Sequence, residues 1–141
     1  MKPLILIVDD NEEMARGLGF AFEMEGYRVT LSPDAETAVR LMVMEQPDLI
    51  LSGVRLPRAD GFAFLDVVRQ SSEGRDVPFV FVTAEADWRL AVKAKSKGAD
   101  EYVVKPFRLE DLIEIVGQLA GLAGRAEVGA ADKSSGKLAA V

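Results

Sequence analysis

The sequence predicts a three-layer α/β domain, a doubly wound parallel sheet of five strands with five helices on its two faces. Three observations predict it. Short apolar runs rich in β-branched and aromatic residues recur along the chain, and segments of helical period lie between them. The runs "LILIV" and "FVFV" are apolar throughout rather than alternating, which suits strands covered on both faces. Strand–helix–strand alternation in turn implies right-handed crossovers and parallel neighbours.

Taken in order, the strands are expected at Leu4 to Val8, Arg28 to Leu31, Leu49 to Ser52, Phe79 to Val82 and Tyr102 to Val104. Asn11 followed by Glu12 and Glu13 reads as an N-cap with acids in the first turn, where the helix dipole favours them. Met14, Leu18, Ala21 and Phe22 then fall on one stripe of the first helix. Ser32 followed by Pro33 reads as a second cap with proline in the first helical position, ahead of a stripe of Ala35, Ala38, Val39 and Met42. Phe64, Leu65 and Val68 mark a third helix. A fourth, Ala86 to Lys97, has the thin stripe of Trp88, Ala91, Val92 and Ala94, so loose docking is expected, and Lys97–Gly98 ends it. The clearest stripe is the last: Leu109, Leu112, Ile113, Val116 and Ala120. The run Gly17 to Phe22, "GLGFAF", sits inside a helix rather than after a strand, so its glycines pack and do not cradle a phosphate.

With 141 residues the chain has the length of one domain. Periodicity stops after Leu122, which divides it into a folded unit over residues 1–122 and a flexible tail or linker over 123–141. A net charge of -6 with no basic stripe argues against nucleic acid as a ligand. No cysteine or histidine is present, which removes disulfides, thiolate metal sites, the usual general base and the commonest transition-metal ligand. The first apolar run is five residues, too short for a signal-peptide core or a membrane span, so a cytoplasmic location is expected.

Ligands of open parallel α/β sheets bind outside the carboxyl ends of the strands. At those ends stand Asp9 and Asp10, Gly53, Thr83, and Lys105 with Pro106. Two carboxylates, a hydroxyl and an ammonium group would therefore converge from separate parts of the chain.

The segments "LILIVDDNEEM", "PDLILSGVRLPRADGF", "VFVTA" and "GADEYVVKPF", in this order and spacing, resemble the response-regulator receiver domain over about residues 3–120. The resemblance implies a flavodoxin-like strand order of 2-1-3-4-5 and phosphoryl transfer from a partner histidine kinase to an aspartate after the third strand. It further implies that Asp10 ligates Mg²⁺ directly, Asp9 through water and Arg55 by its carbonyl, a donor set that suits a hard cation. Thr83 and Lys105 would hold the phosphoryl oxygens while Tyr102 swings inward. Tyr102 and Trp88 sit on or beside the face that members present to partners. Members often pair as homodimers through the last helix, although the stripe on Leu109 to Ala120 is accounted for by the core alone.

The acceptor position of the resemblance is Gly53, which has no side chain to phosphorylate. The flanking Leu56, Pro57, Asp60 and Gly61 fix the register. Asp48 lies five residues away, roughly 16 Å along a strand and at the wrong end of the sheet. Asp60 is already matched beyond the loop, and Ser52 points to the other face by strand alternation. Loss of one carboxylate predicts weak or absent Mg²⁺ binding and no required cofactor. Lys105 is expected to turn to Asp9 or Asp10 and lower their pKa values.

Three readings follow. The leading one is a non-enzymatic signalling module that binds protein partners, a histidine kinase or a downstream protein, without phosphoryl transfer at the usual place. The second keeps a conventional two-component regulator switched off by the substitution at position 53. The third is a pseudo-receiver whose vacated crevice binds a small anionic metabolite through Lys105 and Thr83.

Overall fold

A computed structural model describes residues 2–124. Its elements run β1 (Leu4–Val8), α1 (Glu12–Met24), β2 (Arg28–Ser32), α2 (Ala35–Met44), β3 (Leu49–Ser52), α3 (Gly61–Gln70), β4 (Phe79–Thr83), α4 (Trp88–Ser96), β5 (Glu101–Val104) and α5 (Leu109–Gly124). All strand pairs are parallel and the order is β2-β1-β3-β4-β5, the predicted flavodoxin-like topology.

Alternation along the central strands divides the core in two. Leu6, Val8, Ile50, Phe79 and Phe81 pack with Ala38, Met42, Phe64, Leu65, Val68 and Ala94, on the face that carries α2, α3 and α4. Ile5, Ile7, Leu49, Leu51, Val80 and Val82 pack with Leu18, Phe22, Leu112, Val116 and Ala120 from α1 and α5. Both faces are thus covered, and β1, β3 and β4 are buried along their whole length.

β2 and β4 each run one residue further than predicted and β5 starts one residue earlier, while the shifted starts of α2 and α4 trace to capping. Asn11 caps α1 as expected, its side chain accepting from the Met14 amide. The cap of α2 is Asp34 and not Ser32: the Asp34 carboxylate accepts from the Thr37 amide at 2.7 Å, whereas Ser32 ends β2 and donates its hydroxyl to the Asp34 carbonyl. A carboxylate at the helix start outcompetes a buried serine already committed elsewhere. Asp87 caps the fourth helix, which therefore begins at Trp88, two residues later than predicted. In α4 only Ala94 is buried, and Trp88 and Val92 from its predicted stripe are exposed. Leu109, counted in the last stripe, is also exposed, because it opens α5 before the helix reaches the sheet. The greater part of the predicted tail lies outside the described residues.

Candidate functional site

Parallel pairing brings the ends of β1, β3, β4 and β5 to one edge of the sheet, and every residue singled out for that edge is found there. Asp9 follows β1; its Oδ1 accepts from the Asn11 amide at 2.8 Å and its own amide donates to the Ser32 carbonyl. This turn lets the chain leave the sheet and enter α1 at once. Asp10, beside it, is exposed. Gly53 follows β3, and its amide donates a hydrogen bond to the Val8 carbonyl at 3.0 Å, which ties the ends of the two strands together. A Cβ built on Gly53 would stand 3.3 Å from Asp9 Oδ2 and 3.7 Å from the Arg55 carbonyl oxygen.

No other residue supplies the missing carboxylate at that point among the described residues. Asp48 lies at the opposite end of the sheet, where its side chain accepts from the Leu4 amide at 2.7 Å. Asp60 caps α3, accepting from the Ala63 amide. Ser52 is buried, on the strand parity of Leu6, Val8 and Ile50, and donates its hydroxyl to the Gly53 carbonyl at 2.9 Å. Gly61 packs so closely that a Cβ there would fall 2.2 Å from the Gly53 carbonyl oxygen. The start of α3 is thereby pressed onto the acceptor position.

Lys105 does not form the expected close pair. Among the described residues no ion pair within 4.0 Å joins it to Asp9 or Asp10, and the Asp9 pKa is raised rather than lowered. Burial of the carboxylate is the dominant cause; the Asn11 amide and the Lys105 charge oppose it and do not overcome it. The expectation failed because it weighed charge and left out desolvation.

Thr83 ends β4, buried, and its Oγ1 accepts from the Glu85 amide at 3.0 Å. Tyr102 on β5 donates its hydroxyl to the Glu85 carbonyl at 2.8 Å, and its ring lies 6.0 Å from that of Phe81. Burial, then the negative charges of Glu85 and Asp87, push its phenol pKa upward. The Glu85 carboxylate in turn meets Arg55 Nε at 2.5 Å, which joins the β4–α4 loop to the segment after β3. Sequence reasoning passed over Glu85. The one available signal was an acid two residues past Thr83 facing a base two residues past Gly53.

Two carboxylates and a backbone carbonyl are the oxygen donors a hard cation prefers. Among the described residues, however, no three His, Cys, Asp or Glu side chains converge so as to hold a metal ion. The donor set is one anionic ligand short of a full site. A cleft of about 370 Å³ opens beside Asp9 and Asp10, walled by Glu12, Leu31, Ser32 and Pro33 and by neither Thr83 nor Lys105. No helix among the described residues is long and apolar enough to cross a membrane.

Comparison with known proteins agrees with this geometry. Residues 5–117 match the model of the response regulator receiver domain. The chain is 39% identical over 112 residues to the regulatory protein AtoC of Escherichia coli, covering 79% of this chain and 24% of that protein. It is 33% identical over 111 residues to the DNA-binding dual master transcriptional regulator RpaA of Synechocystis, covering 79% of this chain and 46% of that one. It therefore spans a quarter to a half of the length of these relatives. Among solved structures, a CheY-like response regulator receiver domain protein from Methanospirillum hungatei superposes with a TM-score of 0.82 at 25% identity, over 89% of this chain and 99% of the other. The receiver domain of the Pseudomonas aeruginosa sensor histidine kinase PA1611, which has magnesium coordinated in its active site cleft, superposes with a TM-score of 0.78 at 32% identity, over 86% and 99%. Topology, strand-end residues and sequence match together lead to one conclusion: the chain belongs to the response regulator receiver domain family of two-component signal transduction.

Proposed function

We propose that this domain is a phosphorylation-independent protein-interaction module, a receiver that signals by binding rather than by accepting a phosphoryl group. The observation that carries the reading is Gly53 at the end of β3, with Asp48, Asp60 and Ser52 each committed elsewhere. An aspartyl phosphate needs a carboxylate oxygen as nucleophile, and position 53 has none. The domain is then not an enzyme, requires no cofactor and binds Mg²⁺ weakly through Asp9, Asp10 and the Arg55 carbonyl. Its partners are a histidine kinase or a downstream signalling protein in the cytoplasm, and its strand-end hydroxyl, on Thr83, serves the fold by accepting from the Glu85 amide.

Intact-mass spectrometry after incubation with Mg²⁺ and a small phosphodonor tests the reading. The wild-type chain is expected to stay unmodified. Stoichiometric phosphorylation of any crevice residue would refute the proposal. One observation favours the second reading, a conventional regulator silenced at position 53: a Cβ there meets only the Asp9 carboxylate closely, at 3.3 Å, and clears the Arg55 carbonyl at 3.7 Å, so a small shift of the Asp9 side chain would admit it. Prompt Mg²⁺-dependent phosphorylation of Gly53→Asp would support that reading, and continued inertness of the variant would support the first.

A further inference from the structure

Glu85 is a junction between three parts of the site. Its carboxylate pairs with Arg55 Nε at 2.5 Å, its amide donates to Thr83 Oγ1 at 3.0 Å, and its carbonyl accepts from the Tyr102 hydroxyl at 2.8 Å. Through these links the segment after β3, the end of β4 and the middle of β5 meet at one residue of the β4–α4 loop. The Tyr102 ring continues the connection inward. It lies 6.0 Å from Phe81, which itself lies 5.1 Å from Phe62 of α3 and 5.0 Å from Phe79.

From this we infer that the Arg55–Glu85 pair is a strap between the segment after β3 and the β4–α4 loop that keeps this loop and Tyr102 in one predominant arrangement, so that the domain shows partners a preset surface. The inference rests on the phosphorylation-independent reading and concerns how its single state is held. A loop that no phosphoryl group can draw inward needs another hold, and the core gives little. In α4, the element that follows the loop, only Ala94 is buried. On the other side Arg55 is positioned by well-fixed backbone: Val54 is buried and its carbonyl accepts from the Gly61 amide at 2.7 Å. The strap therefore joins a rigid wall to a loosely seated loop. Arg55 is 81% exposed, so the pair alone shifts an equilibrium only about two- to fivefold. That suffices for a loop whose two backbone bonds at the same residue already favour the same arrangement.

The chain has only two tyrosines, Tyr27 and Tyr102, so fluorine NMR of protein labelled with 3-fluorotyrosine reports on the ring directly, with Tyr27→Phe assigning the signals. Glu85→Gln keeps the backbone amide and carbonyl and removes only the charge; Arg55→Ala removes the other half. In each variant the Tyr102 signal is expected to shift or split, with a second population growing about two- to fivefold, while Tyr27 stays in place. The double variant should add nothing to the larger single effect, as for one shared interaction. Raising the salt to about 1 M should move the wild-type signal in the same direction, since screening then acts within roughly 3 Å. A Tyr102 signal insensitive to both variants and to salt would overturn the strap and leave the phosphorylation-independent reading intact. Phosphorylation of the wild-type crevice in the mass experiment would remove both.

Discussion

At position 53 the missing side chain leaves a space bounded by Asp9, and this sets what a restored carboxylate would meet. A Cβ there stands 3.3 Å from Asp9 Oδ2, so Gly53→Asp brings a like charge against a carboxylate that burial already disfavours. The variant is expected to lose about 1–4 kcal/mol in metal-free buffer and to regain it with Mg²⁺, read as paired thermal melts. Gly61 is constrained more tightly. A Cβ would fall 2.2 Å from the Gly53 carbonyl oxygen and 2.8 Å from the Phe81 ring, neither of which can yield. Gly61→Ala should therefore cost about 1–3 kcal/mol in urea denaturation. The residues legible in sequence were those fixed by strand ends: Asp9, Asp10, Gly53, Thr83 and Lys105. Glu85 and the direction of the Asp9 shift were not legible, because both depend on loop path and on burial, which spacing does not encode.

Elements were read well where a long apolar stripe met a covered sheet face, and less well where capping decided the start. Asp34 displaced Ser32 as the α2 cap because Ser32 was still needed as the last residue of β2. The weak stripe of α4 was legible and has a consequence. Beyond Ala94 and the half-buried Leu90, its links to α3 include polar contacts: Lys97, at its C-cap, reaches the Asp66 carboxylate at 3.0 Å, and Lys93 lies 4.5 Å over the Phe62 ring. Such contacts are exposed enough to break singly. Helices α1 and α3, by contrast, each bury four or more residues. Amide hydrogen exchange should accordingly find α4 opening at lower free energy than α1 or α3. Equal protection across the three helices would contradict this account of α4.

Across the whole molecule, two cores on opposite faces of one sheet make folding a single event, so charges at distant loops act on one stability. Burial pushes the Asp9 and Glu101 pKa values up. The folded chain therefore holds these protons more tightly than the unfolded chain, and the stability they contribute is full below the ordinary carboxylate range and lost as pH rises through the raised values. Asp34, Glu85 and Asp87 act in the opposite sense. The Thr37 amide, Arg55 and the Arg89 side chain respectively hold their pKa values down, so their contribution is present above the ordinary range and lost as pH falls through the lowered values. Acidification from neutrality then reaches Asp9 and Glu101 first and the other three afterwards. Stability should rise as the pH falls toward the ordinary carboxylate range and fall again below it, measured as urea midpoints along the series. Asp9→Asn removes one of the two raised groups, so the rise should shrink in that variant while the fall at lower pH persists. A wild-type midpoint that declines steadily from neutrality would mean that the raised groups, Asp9 and Glu101, do not outweigh the lowered ones.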